Sequence, residues 1–231
     1  MKVVGSLLAR LLGSKPCELE AVYVAANGSM SAERPREAGR RLVVFPGSFN
    51  PLHSGHLQLA VAAQELCERE RGLKADLLFE ISVANADKGT ISEEAALLRL
   101  AQFEAKGDLV LTRKAPLYVD KAKMFGPCDF IVGADTASRI LNPKYYGPEG
   151  VQGTLKQIAD LGCAFLVAGR FDPLTNAYVD AEKSLNDAPP GHRTMFYSLA
   201  ESDFRCDISS TDLRRKQQRQ EKNTSSSSFT T

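Results

Sequence analysis

Leu42-Val43-Val44-Phe45-Pro46-Gly47-Ser48-Phe49-Asn50-Pro51-Leu52-His53-Ser54-Gly55-His56-Leu57 changes its periodicity part-way along. Leu42–Phe45 is a short, continuous apolar run, the pattern of a strand buried on both faces. The turn formers of Gly47–Pro51 interrupt it. From Gly55 the residues Leu57, Leu59, Ala60, Ala63, Leu66 and Cys67 recur at mostly helical spacing, and Gly72 marks the end. A buried strand that turns directly into a helix opens an α/β unit, and in parallel sheets ligands bind beyond the carboxyl ends of the strands.

The alternation continues. Asp76–Ser82 reads as a second strand. Ser92–Lys106 reads as a helix capped by Ser92 and closed by Gly107. Leu109–Leu111 and Phe130–Val132 read as strands, Thr154–Leu161 as a helix, Ala164–Ala168 as a fifth strand and Met195–Ser198 as a sixth. A last helix starts at Ser209. The expectation is one Rossmann-like α/β domain over residues 42–216, a parallel sheet with helices on both faces. Residues 1–41 read as an N-terminal extension and linker, since 28–41 lack periodicity. Residues 217–231, poor in apolar side chains, read as a disordered tail.

Composition narrows the function classes. With 29 basic and 28 acidic residues the formal charge is +1, which gives no electrostatic footprint for nucleic acid. No apolar run is long enough for a membrane span. The five cysteines, at 17, 67, 128, 163 and 206, form no C-x-x-C and fit free thiols in a reducing, cytoplasmic setting. There is no P-loop motif, no G-x-G-x-x-G after the first strand and no G-x-S-x-G elbow.

The first turn carries two of the chain's 3 histidines, His53 and His56, at a helix start. Unpaired N–H groups and the positive dipole end favour phosphate there, and two imidazoles can donate hydrogen bonds to phosphoryl oxygens. Gly47 is expected to let the backbone approach a ligand, with Ser48 and Phe49 beside it, and Gly55 to let the helix start pack close. A second helix start, Asp207-Ile208-Ser209-Ser210-Thr211-Asp212-Leu213-Arg214, offers the hydroxyls of Ser209, Ser210 and Thr211 and the guanidinium of Arg214. At the end of the fourth strand, Gly133 permits close approach, and Asp135 can bind ribose hydroxyls or cap the helix that follows.

Gly-Ser-Phe-Asn-Pro-Leu-His-Ser-Gly-His resembles the His-x-Gly-His signature of the nucleotidylyltransferase superfamily, and Ile208–Arg214 resembles its Ile-Ser-Ser-Thr-x-Ile-Arg signature. The resemblance covers residues 42–216. It is similar to nicotinamide mononucleotide adenylyltransferases and to the nucleotidylyltransferase domain of plant CinA-like proteins. It implies transfer from ATP to a phosphorylated small-molecule acceptor, nicotinamide mononucleotide foremost, with Mg²⁺ brought in by the nucleotide and no metal site of the protein's own. By the same resemblance His53, His56 and Lys88 act on the reacting phosphates. Gly47, Ser48, Phe49, Gly133, Asp135, Ser209, Ser210, Thr211 and Arg214 bind the nucleotide, and Tyr118 contacts the acceptor. The chain departs from the pattern in having no tryptophan to stack on a nicotinamide ring. Tyr145 or Tyr146 can take that place, and Tyr146 is preferred because Gly147-Pro148 opens a loop edge. Another acceptor, CTP in place of ATP, and a nucleotide-binding regulatory module or weak ATPase remain open as alternatives.

Overall fold

Strands buried on both faces decide the architecture. The computed structural model describes residues 7, 10–12, 19–34, 37–85, 89–172, 175 and 177–227. In chain order the strands are Ala21–Val24 (β1), Met30–Ser31 (β2), Arg41–Pro46 (β3), Ala75–Ser82 (β4), Ala84–Asn85 (β5), Gly89–Thr90 (β6), Leu109–Thr112 (β7), Cys128–Gly133 (β8), Ala164–Ala168 (β9), Arg170–Asp172 (β10), Ala177–Val179 (β11) and Phe196–Leu199 (β12). The helices are Ser54–Arg71 (α1), Glu93–Ala101 (α2), Tyr118–Phe125 (α3), Ala134–Ile140 (α4), Gly150–Asp160 (α5) and Ser210–Ser227 (α6).

Eight strands form one sheet in the order β12-β9-β8-β3-β4-β7-β1-β2. The six from β12 to β7 run parallel, and β1 and β2 close one edge antiparallel. The chain leaves β3 first toward β4 and β7 and later returns to its other side with β8, β9 and β12. The switch point therefore falls between β3 and β8, and a crevice opens beyond their carboxyl ends.

Each strand of the centre feeds two cores. Leu42 and Val44 of β3 join Phe130, Val132, Phe165 and Val167 under α3, α4 and α5. Val43 and Phe45 point the other way and join Phe79, Ile81, Ile131 and Leu166 under α1. Each such fully buried side chain contributes about 1.5–3 kcal/mol over exposure, so the run that reads as apolar throughout is the one that both layers need. Gly72, at φ 64, ends α1 with its N–H on the Glu68 carbonyl, 2.9 Å away.

Several expectations are corrected. Residues 1–41 are not only extension and linker: β1 pairs onto β7 and β2 onto β1, and Leu11 is fully buried in the α1-side core. The polar 28–41 stretch hid β2 because a two-residue edge strand carries no periodicity. The tail expected to be disordered from Gln217 continues as helix to Ser227, through a stretch that starts with the helix formers Gln, Arg, Glu and Lys. The helix expected over Ser92–Lys106 stops at Ala101, with Gln102 as its cap. A helix, α3, stands between β7 and β8, where the periodicity suggested no element.

Candidate active site

The histidine turn is built from backbone. His53 caps α1 in an extended conformation, and its N–H donates to Nδ1 of His56 at 3.2 Å. An Nδ1 that accepts must carry its ring proton on Nε2, so neutral His56 keeps an Nε2–H donor. The two rings lie 3.7 Å apart between centroids. Burial, and then the neighbouring His53, push the His56 pKa down to about 4. Burial lowers that of His53 as well, and its Nδ1 is buried with no partner among the described residues. A neutral, desolvated pair of imidazoles, one with an orphaned nitrogen, is poised for a ligand that can hydrogen-bond to it.

Arg214 and Ser210 come to this turn from the far end of the chain. The Ser210 hydroxyl donates to the Pro51 carbonyl at 3.0 Å, and a guanidinium nitrogen of Arg214 donates to the Asn50 carbonyl. Arg214 also donates to Thr211 Oγ1 at 3.1 Å. Gly55 explains how closely they fit. A Cβ there would stand 2.3 Å from Sγ of Cys206, in the segment leading into α6.

Beyond the carboxyl ends of β3 and β4 lies a cavity of about 670 Å³, within the range of small-molecule sites. Gly47, Ser48, Asn50 and Arg214 form one side, and Thr136, Arg139, Tyr145 and Tyr146 another. In its floor Lys121 Nζ donates to Glu80 Oε1 at 2.8 Å, with both side chains buried. The Thr112 hydroxyl donates to the same carboxylate oxygen. Arg99 and Arg139 line the cavity with no carboxylate partner among the described residues, and burial lowers the Arg99 pKa. The excess of cations over the single carboxylate suits a polyanionic ligand.

This architecture is matched by known proteins. The profile of the family described as cytidylyltransferase-like matches residues 44–216. The chain belongs to that family. A relative from Gloeobacter violaceus named "Probable nicotinate-nucleotide adenylyltransferase" is 28% identical over 189 residues, 76% of this chain and 83% of the relative. One from Schizosaccharomyces pombe, named "Putative nicotinamide mononucleotide adenylyltransferase", is 30% identical over 137 residues, 54% of this chain and 51% of the relative. Family and relatives agree on nucleotidyl transfer.

The expected site residues of this cytidylyltransferase-like chain fall in different surroundings. Gly47, Ser48, Tyr118, Tyr146 and Arg214 line the cavity; His53 and His56 are not part of its wall. A second group serves the fold. Phe49 is 1% exposed, at φ 42, among Phe45, Phe79 and Phe103. A Cβ on Gly47 would meet the Phe49 ring at 2.5 Å, so that glycine is needed first for packing. Ser209 caps α6, accepting from the Asp212 N–H at 3.1 Å and donating to its carboxylate. Asp135 neither caps α4, whose cap is Gly133, nor lines the cavity; it pairs with Arg170 at 3.0 Å. Lys88 lies outside the described residues.

The tyrosines are also decided by neighbours. Tyr118 is wedged edge-on against Phe130 and Phe165, and burial, then Glu80, raise its pKa. Tyr146 is anchored by its hydroxyl to the Ile140 carbonyl at 2.7 Å, and burial pushes its pKa up to about 12. The Lys144 ammonium lies 4.6 Å from the centre of the Tyr145 ring. Both Tyr145 and Tyr146 line the cavity. Glu80, Arg99, Lys121 and Arg139 escaped sequence reading. One signal was there: Glu80 is a lone charge inside the apolar run Leu77–Ile81. No cluster of three or more His, Cys, Asp or Glu side chains among the described residues could hold a metal, and no described helix is long and apolar enough to cross a membrane.

Proposed function

We propose that the chain transfers the adenylyl group of ATP to the phosphate of nicotinamide mononucleotide, giving NAD and pyrophosphate. What supports this most is the docking of the Ser209–Arg214 segment onto the Asn50–His53 turn beside a cavity rich in cations. An oxygen of the acceptor phosphate attacks the α-phosphorus, and the bond from that phosphorus to the bridging oxygen breaks, so pyrophosphate takes the electron pair. No covalent enzyme intermediate is required. Catalysis is positioning plus stabilisation of phosphoryl charge.

In this reading Nε2–H of His56, with His53 beside it, donates to phosphoryl oxygens of the triphosphate. Arg214 and the hydroxyls of Ser210 and Thr211 serve the β- and γ-phosphates. Lys88, Arg99 and Arg139 attract the acceptor phosphate. The ring faces of Tyr145 and Tyr146 supply the surface for a flat pyridinium. In this reading Mg²⁺ enters with the nucleotide phosphates and water.

The test is to incubate the protein with Mg-ATP or Mg-CTP and a panel of phosphorylated acceptors, and to measure pyrophosphate against orthophosphate. Pyrophosphate dependent on nicotinamide mononucleotide is expected, with about 10²–10³-fold loss in His56→Ala at unchanged fold. Dependence on another acceptor or on CTP moves the substrate within the class. Acceptor-independent orthophosphate indicates a weak ATPase, and bound ATP without either product indicates a regulatory module.

A further inference from the structure

Gln102 stands outside both signatures, yet it holds the first of them. Its Nε2 donates to the Phe49 carbonyl at 3.1 Å and its Oε1 accepts from the Leu52 N–H at 2.7 Å. These are the two ends of the Phe49–Leu52 turn, and Phe49 sits there at φ 42, a conformation that a side chain rarely adopts unaided. Between them the Asn50 carbonyl is taken by Arg214 and the Pro51 carbonyl by Ser210. The next N–H, that of His53, goes to His56. Every one of these backbone groups is thus held by a side chain, and only Gln102 holds two. Donor and acceptor are opposed, so one amide orientation alone satisfies both.

Gln102 is also the cap of α2, the helix whose Arg99 lines the cavity. Positions three apart share a helix face. One rigid element therefore carries a cation of the acceptor side and the clamp of the histidine turn.

We propose that Gln102 is a positioning residue of the transfer reaction, fixing the turn that aims His53 and His56. The proposal rests on the reading of that turn as the triphosphate site. Full-length Gln102→Leu is expected to lose about 10²-fold in kcat for pyrophosphate release from Mg-ATP and nicotinamide mononucleotide. The KM for the mononucleotide should stay within about twofold, because the acceptor-side cations remain. Gln102→Glu supplies a control, since a protonated carboxylic acid donates and accepts like the amide, whereas a carboxylate only accepts. Its activity relative to wild type should rise as pH falls.

The ring ¹⁵N resonances of His53 and His56, recorded on protein without nucleotide, read the turn independently of turnover. They should move in Gln102→Leu. If the wild type makes no acceptor-dependent pyrophosphate, the transfer reading fails and these resonances still test the clamp. Unmoved histidine resonances, or wild-type kcat in Gln102→Leu, overturn the inference. So does a Gln102→Glu to wild-type ratio that is flat with pH.

Discussion

His56 shows how one hydrogen bond sets a side chain's chemistry. Its Nδ1 is committed to the His53 N–H, and the buried ring stays neutral, with its pKa pushed down to about 4. A base that is harder to protonate folded than unfolded makes the unfolded state bind more protons between those two values. Stability therefore falls as pH drops from the ordinary 6.5 toward 4. An NMR titration of the ligand-free protein should place the His56 midpoint near 4, with His53 also below 6.5. A midpoint at 6.5 for His56 would show an open, hydrated ring and undo the buried, neutral state assigned to it.

At the scale of elements, α6 is two things in succession. Its start carries Ser210 and Arg214, which reach the turn before α1 across 159 and 164 residues of chain, and Thr211, which accepts from Arg214. The side chains of residues 215–220 are exposed. Removing residues 217–231 should therefore leave pyrophosphate release within about twofold of the full chain. Arg214→Ala should cost about 10–10²-fold, the loss of a charged hydrogen bond. If the truncation is as damaging as the substitution, the rest of α6 does more than extend into solvent. The two signatures were legible because each is a local pattern of turn, hydroxyl and basic residues. Gln102 was not, because nothing local distinguishes a helix-capping glutamine that clamps a remote backbone from one that faces water.

For the whole molecule the decisive feature away from the cavity is Asp129, near the amino end of β8. It is fully buried and accepts from Arg41 at 2.6 and 3.2 Å and from Arg71 at 2.8 and 3.0 Å. Burial alone would raise its pKa, but the hydrogen bonds of Arg71 and Arg41 outweigh it and hold the carboxyl below its ordinary 3.8. A carboxylate stabilised in this way supports the fold above that value and loses its contribution as pH falls through the lower, folded one. Asp129→Asn should cost about 3–5 kcal/mol in urea unfolding at neutral pH, since two guanidinium groups lose their partner. That deficit should shrink on acidification below the ordinary carboxyl value. A constant deficit down to low pH would show that packing, not charge, is what the substitution removes.

The sequence by itself determined the alternation of buried strands and helices, the helix-start turns with His53, His56 and Ser209–Arg214, and hence the family. These depend on periodicity and turn chemistry, which act over a few residues. The tertiary structure decided which turns meet. Sheet order placed β3 beside β8 and brought Arg99, Lys121, Arg139 and the paired tyrosines from separate helices and loops to one cavity. It also turned Phe49 into the core, paired Asp135 with Arg170, and attached β1 and β2 to the edge of the sheet. The physical reason is that burial, desolvation and counter-charge are properties of surroundings assembled from distant segments, and no window of sequence contains them.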